Sequence, residues 1–115
     1  MRVWIYTRLS NDDGPERDSL QNQERVCREF AAQRGDQIVG QSSDNNISGM
    51  NFSRRGLSQL TAAVEDGRLD GVVVKDISRL GRHRTQTALL IDYLREWGVR
   101  VLSATEGLDS FREKD

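Results

Sequence analysis

At 115 residues the chain is long enough for one hydrophobic core and too short for two, which predicts a single domain over residues 1–115. Its 17 basic and 18 acidic side chains give a net charge of −1, which argues against a domain that holds nucleic acid through an overall positive field. A single cysteine, Cys27, excludes an internal disulfide and a cysteine-based metal site, and its place among helix-spaced apolar residues predicts a buried structural thiol. The apolar runs are short and the start lacks a signal peptide, which predicts a cytoplasmic protein that does not enter a membrane.

The first half of the chain alternates between strand and helix patterns. Residues 2–6 form a β-rich run, which predicts a strand that stops where Ser10 begins a loop. Apolar residues at helical spacing predict a helix over 19–34, with a serine as its N-cap and a glycine directly after it. A short strand over 37–41 comes next. Residues 42–49 are so rich in turn formers that they predict an irregular polar loop.

The second half repeats the alternation. A helix fits residues 55–65, and the non-alternating, β-branched run 71–74 predicts a strand buried on both faces, at the centre of a parallel sheet. A third helix begins at Thr85 or Gln86, and a further strand is predicted over 99–103. The predicted buried face of that helix consists of Thr87, Leu90, Ile91, Leu94 and Trp97. Residues 106–115 carry charges of both signs without a periodic pattern.

This order of elements predicts an open α/β fold, with a mostly parallel sheet and helices on both faces. In such folds the working site lies at the carboxyl ends of the strands. Ser10 and the segment that begins at Lys75 are both expected there.

The segment 75–84, called the basic loop below, concentrates positive charge. It carries four basic residues and one acidic residue, Asp76, within a chain that is net acidic. Arg79 and Arg82 are three residues apart, so a tight turn puts both guanidiniums on one side, where they can fork around one phosphate. Gly81 between them permits close approach of a ligand to the backbone. The alternative without a function is that residues 75–84 form a solvated surface turn. Taken alone, Ser10 has a similar alternative, because a serine after a strand is most often a turn former.

Four motifs occur in order along the chain: Tyr6-x-Arg8-x-Ser10, then Ser19-Leu20-x-x-Gln23, then Asp44-x-x-x-Ser48-Gly49 with Arg54-x-Gly56-Leu57, and finally Ser78-Arg79-Leu80-Gly81-Arg82. Together they resemble the catalytic domain of the serine site-specific recombinases, the resolvase and invertase family, and ordered motifs are far more specific than any single one. The pattern over 74–82 is similar to the large recombinases of mobile elements in particular.

The resemblance implies an enzyme in which Ser10 is the nucleophile. Its attack on a DNA phosphate would give a 5′-phosphoserine link and a free 3′-hydroxyl. Gln23 matches a supporting polar position, and Asp44 belongs to a motif for which an orienting role and a catalytic role stay open. The arginines that match the family's phosphate-binding positions are Arg8, Arg54, Arg79 and Arg82.

Elementary chemistry agrees with that assignment. Attack at phosphorus builds charge on the equatorial oxygens, so preorganised cations supply most of the catalysis, with a loss of about 3 kcal/mol for each one removed. The single histidine, His83, is not a convincing base for Ser10, and the arginine field is expected to activate the hydroxyl instead.

One position departs from the family pattern. Many small resolvases and invertases have an aspartate directly before the first arginine of this loop, where this chain has Ser78. Asp76 lies two residues earlier and would share the side of Ser78 on a strand-like segment. We therefore treat Asp76 as a candidate substitute for that carboxylate.

Two interpretations from other classes remain open at this point. The segment 12–18 has four acidic residues and one basic residue, and with Asp44 and Asp76 it could indicate a metal nuclease or a receiver-like signalling domain. A non-catalytic phosphate-binding α/β domain is the other alternative. The favoured interpretation of 12–18 is a solvated loop, because a metal site would gain nothing from a serine at position 10.

The resemblance also implies partners. It implies double-stranded DNA as substrate, no metal or other cofactor, and homo-oligomers of the full-length protein, as dimers and as tetramers on DNA. The reaction class is integration, excision or inversion of mobile DNA. Family members carry a long dimerisation helix and DNA-binding modules after the catalytic domain, so residues 1–115 are expected to be an N-terminal fragment that is nearly inactive by itself.

Overall fold

The computed structural model describes residues 1–10, 19–46, 54–81 and 84–112. The strands within these ranges are β1 Arg2–Ser10, β2 Gln37–Asn46, β3 Gly71–Val74, β4 Arg100–Ser103 and β5 Leu108–Asp109. They form one sheet in the order β2-β1-β3-β4-β5, in which all neighbours are parallel except the antiparallel pair β4 and β5. The helices are α1 Leu20–Arg34, α2 Arg55–Glu65 and α3 Arg84–Glu96. The predicted open, mostly parallel α/β sheet is confirmed.

The core has two layers because successive strand residues point to opposite faces of the sheet. Val3 and Ile5 of β1 pack with Cys27 and Ala31 of α1 on one face. On the other face, alternate residues of β1 and β3 pack with residues of α2 and α3. This cluster includes Trp4, Tyr6, Val72 and Val74 from the strands and Leu60 and Leu94 from the helices. All four residues of β3 are buried, which confirms the prediction of a central strand covered on both sides. Among the described helices, none combines the length and apolar character needed to cross a membrane.

The predicted helices are confirmed, with differences at their ends. The Ser19 side chain accepts a hydrogen bond from the Asn22 backbone N–H at 3.0 Å and so caps α1 as expected. The expected burial of Trp97 is wrong, since that side chain is 50% exposed. The reason is the left-handed turn at Gly98 (φ 73°), which returns Val99 to the core and leaves Trp97 outside it.

The predicted irregular loop after residue 41 is also wrong as far as residue 46. β2 runs to Asn46 because it pairs in parallel with β1, which ends at Ser10, where the loop is predicted to begin. Polar residues of β2 that favour turns are held in the strand by side-chain hydrogen bonds to the core, as described below. The strand β5 falls in the segment without a periodic pattern, since two residues are too few to produce one.

We predict that Cys27 is unreactive in the folded protein. Its side chain is fully buried, and burial raises the pKa of the thiol to about 12, so almost no thiolate exists at mildly alkaline pH. Titration with a chromogenic disulfide reagent should give one reactive thiol in urea and almost none in buffer. Rapid stoichiometric modification of the native protein would contradict the burial.

Candidate active site

The carboxyl ends of three neighbouring strands bring the motif residues to one edge of the sheet. Ser10 is the last residue of β1 and pairs with Asn46 at the end of β2. β3 pairs with β1 on the other side, and the basic loop follows directly from its last residue. The backbone of Ser10 and the basic loop thus share an edge, as the sequence predicts. The side chain of Ser10 lies outside the described part of the structure.

Arg8 and Arg79 connect β1 to the basic loop by reciprocal hydrogen bonds. The Arg8 guanidinium donates through Nε to the Arg79 carbonyl at 3.1 Å and through Nη2 to the Ser78 carbonyl at 2.8 Å, with a longer contact to the Gly81 carbonyl at 3.4 Å. In return, Nη1 of Arg79 donates to the Arg8 carbonyl at 3.0 Å. Both side chains are only 7% exposed. Each arginine therefore holds the backbone of the segment that carries the other.

Gln23 of α1 fixes the backbone of Arg8 from the opposite face of the sheet. Its Oε1 accepts the Arg8 N–H at 3.1 Å, and its Nε2 donates to the Arg8 carbonyl at 2.9 Å. The side chain is completely buried. A carboxamide is the side chain that can donate and accept in this way at once. Gln23 therefore fixes the backbone of β1 two residues before Ser10.

Asp44 of β2 caps the N-terminus of α2. Its Oδ1 accepts the Gly56 N–H at 2.7 Å, and its Oδ2 accepts the Leu57 N–H at 3.0 Å and the Tyr6 hydroxyl at 2.8 Å. Burial, followed by the Asp44 carboxylate, raises the pKa of Tyr6, which keeps the phenol protonated as a donor. The Asp44 carboxylate is therefore buried and engaged by three donors, two of which are the first free amides of α2.

Arg54 is the residue placed by this cap, because it directly precedes α2. Its exposed side chain contacts Gln86 of α3, with Nη2 3.4 Å from Oε1. A cavity of about 340 Å³ is lined by Arg54 together with Leu80 of the basic loop and residues of α3. Arg54 thus lies beside Leu80 of the basic loop.

Two residues that the sequence analysis gave no role complete the approach of α2 to the sheet. Ser42 accepts a hydrogen bond from the Trp4 indole N–H at 2.9 Å and donates to the Gly56 carbonyl at 2.7 Å. A Cβ at Gly56 would lie only 2.6 Å from the Ser43 carbonyl oxygen, so only glycine permits this contact. The sequence signal for these contacts is the spacing of Ser42 and Asp44, because residues two apart in a strand point to the same face of the sheet.

Asp76, the candidate substitute for the family carboxylate, lies beside Ser78 and Arg79. It accepts a hydrogen bond from the Ser78 hydroxyl, and its Oδ2 lies 3.5 Å from Nε of Arg79. Residues Ile77–Arg79 form a 3₁₀ turn, so Ser78 itself projects from a turn rather than from a strand. The expected proximity of Asp76 and Ser78 is confirmed, although through a different backbone geometry.

Several sequence-based predictions fall on residues that the structure does not describe. Arg82 and His83 lie there, as do the acidic segment 12–18 and the Ser48-Gly49 part of the polar motif. Across the described residues no group of three or more histidine, cysteine or acidic side chains could hold a metal ion. Asp44 and Asp76, which the metal interpretation would use, are engaged as described above.

Comparison with known proteins agrees with this geometry. Residues 3–115 match the family model described as "Resolvase, N terminal domain". The N-terminal catalytic domain of TP901-1 integrase is similar, with 26% identity and a TM-score of 0.83 over 97% of this chain and 83% of that chain. A resolvase family site-specific recombinase from Streptococcus pneumoniae has 26% identity and a TM-score of 0.85 over 99% of this chain and 78% of that chain. The C-terminal catalytic domain of ISC1926 TnpA, an IS607-like serine recombinase, has 27% identity and a TM-score of 0.73 over 90% of this chain and 70% of that chain.

We predict that Gln23→Met destabilises the fold by about 2 kcal/mol, because it leaves the buried Arg8 N–H without an acceptor while keeping the volume of the side chain. Urea unfolding measures the loss. Gln33→Met, on the exposed face of the same helix, is the matched control and should change stability very little. Equal stability of the two variants would mean that the Gln23 carboxamide does not hold the backbone of β1.

Proposed function

Since the chain belongs to the resolvase N-terminal domain family and is the catalytic domain of a DNA site-specific recombinase, we propose that Ser10 is its nucleophile. The Ser10 oxygen attacks a phosphodiester of double-stranded DNA, forming a bond to phosphorus as the bond to the 3′-oxygen breaks. The serine proton leaves and a proton reaches the 3′-oxygen, so the products are a 5′-phosphoserine and a 3′-hydroxyl. Attack of a 3′-hydroxyl on the phosphoserine rejoins the strand.

The observation that carries this proposal is the reciprocal Arg8–Arg79 contact. It joins the strand that ends in Ser10 to the basic loop, so the nucleophile and the cations are held by one hydrogen-bonded unit. Fixed cations are what phosphoryl transfer requires, because the transition state spreads negative charge over the phosphate oxygens. Arg54 is beside the same loop, and Arg82 follows two residues after Leu80. We assign all four arginines to the scissile phosphate.

The remaining polar residues act as positioning groups in this proposal. Gln23 sets the backbone before Ser10, Asp44 places Arg54 through the cap on α2, and Asp76 orients Arg79 with help from Ser78. The domain acts within a longer recombinase that forms dimers and, on DNA, tetramers. Its role is integration, excision or inversion of mobile DNA. It needs no high-energy cofactor because the phosphoserine conserves the energy of the cleaved bond, and the arginines take the charge-stabilising role that a metal would otherwise have.

We predict that the recombinase carrying this domain forms a covalent adduct with DNA in the presence of a chelator. Sheared genomic DNA of the encoding organism serves as the probe; the mixture is denatured, and DNA that stays attached to protein is recovered and sequenced. Ser10→Ala should abolish the adduct, whereas Ser58→Ala, on the exposed surface of α2, should leave it unchanged. Failure of active, DNA-bound protein to form an adduct would overturn the proposal, as would an adduct that persists in Ser10→Ala.

A second prediction concerns the departure at Ser78. Asp76→Ala should slow cleavage about tenfold, because Arg79 loses the carboxylate that orients its Nε. Ser78→Asp introduced into Asp76→Ala should restore part of the rate, since it returns a carboxylate to the position usual in small resolvases. The measurement is single-turnover cleavage of a labelled duplex carrying the captured site. Undiminished cleavage by Asp76→Ala would dispose of this role.

A further inference from the structure

The turn between β4 and β5, residues 104–107, is hydrogen-bonded to the start of the basic loop. The Ala104 N–H donates to the Val74 carbonyl at 2.9 Å. The N–H and the hydroxyl of Thr105 both donate to the Lys75 carbonyl, at 3.0 and 2.8 Å. The turn and the first residue of the basic loop therefore form one hydrogen-bonded unit.

Glu106 extends this unit into the 3₁₀ turn that carries Arg79. Its Oε1 accepts the Ile77 N–H at 2.8 Å and the hydroxyl of the buried Ser103 at 2.6 Å. Ile77 is the first residue of the 3₁₀ turn, where the N–H has no partner within the turn itself. A carboxylate is also favoured there by the partial positive charge at a helix start. The side chain that caps this turn thus comes from the connection between β4 and β5, 29 residues further along the chain.

The Asp76 side chain takes no part in capping this turn. Aspartate is among the best N-cap residues, and Asp76 occupies the N-cap position, yet its side chain makes no capping hydrogen bond. It binds the Ser78 hydroxyl and faces Arg79 instead. The start of the turn is held by Glu106 through the Ile77 N–H, while Asp76 contacts the side chains of the turn.

We propose that Glu106 is a positioning residue for Arg79: by binding the Ile77 N–H it fixes the 3₁₀ turn in which the Asp76 carboxylate and the Arg79 guanidinium face each other. The consequence for DNA cleavage rests on the proposed function, whereas the hydrogen bonds belong to the folded chain and can be tested without DNA. When the Glu106 carboxylate is removed, the start of the turn loses this anchor and Arg79 is no longer held beside Asp76, although its hydrogen bond to the Arg8 carbonyl can remain.

The first test uses amide hydrogen exchange of this 115-residue chain. In Glu106→Ala the Ile77 amide should exchange about tenfold faster, in keeping with the loss of one capping hydrogen bond. Glu106→Gln, which keeps an acceptor oxygen, should exchange like the wild type. Thr105→Val, which removes a hydrogen bond of the same turn but not the cap, should leave the Ile77 amide unchanged. Unchanged protection in Glu106→Ala, or equal loss in Thr105→Val, would overturn the cap.

The second test is a double-mutant cycle on single-turnover cleavage of the captured DNA site. Glu106→Ala should slow cleavage about tenfold at saturating DNA without weakening DNA binding, and Glu106→Gln should cleave at nearly the wild-type rate. The double variant Glu106→Ala, Asp76→Ala should be no slower than Asp76→Ala alone, because both changes act through Arg79. Additive losses, or a loss that Thr105→Val reproduces, would overturn the positioning role. If the wild type forms no adduct, the proposed function fails, while the exchange result still decides the cap.

Discussion

The structure depends on two buried arginines that each bind the backbone of the other's segment. Burial of a guanidinium is costly unless its donors find acceptors, and here the acceptors are main-chain carbonyls of the basic loop and of β1. Neither side chain finds these partners unless both segments are in place. The positions of Arg8 and Arg79 are therefore fixed only when β1 and the basic loop are both folded at this edge of the sheet.

The positioning of the cations follows a common pattern. Arg8 and Arg54 are each placed through the backbone of their own segment, and each of these segments is held by a carboxamide or carboxylate from a different element. Gln23 of α1 holds the strand of Arg8, and Asp44 of β2 holds the helix that begins after Arg54. Such support from neighbouring elements is what keeps charged groups within the narrow tolerances that catalysis requires.

The sequence predicts most of the fold, because the relevant signals are local. The buried run of β3 and the helical spacing of the apolar residues in α1 and α2 are periodic, and the parallel sheet follows from their order. The end of β2 was missed since its serines and asparagines favour turns, and only their contacts with Trp4, Tyr6 and α2 keep them in a strand. The contacts of Asp44 could not be predicted for the same reason. They join β2 to the start of α2, and only the tertiary structure brings these two elements together. Glu106 lies in residues 106–115, which have no periodic pattern, so no local signal predicts its contact with Ile77.

The cap on α2 has a consequence for the electrostatic field around the site. The start of a helix is an anion-binding position, since its amides and its dipole attract negative charge. At α2 that position is filled by the protein's own carboxylate, bound to the amides of Gly56 and Leu57. A phosphate that approaches the start of α2 cannot bind those two amides. The positive charge at the start of α2 is supplied by side chains instead, those of Arg54 and Arg55, so a phosphate is attracted there by guanidinium groups and not by helix amides.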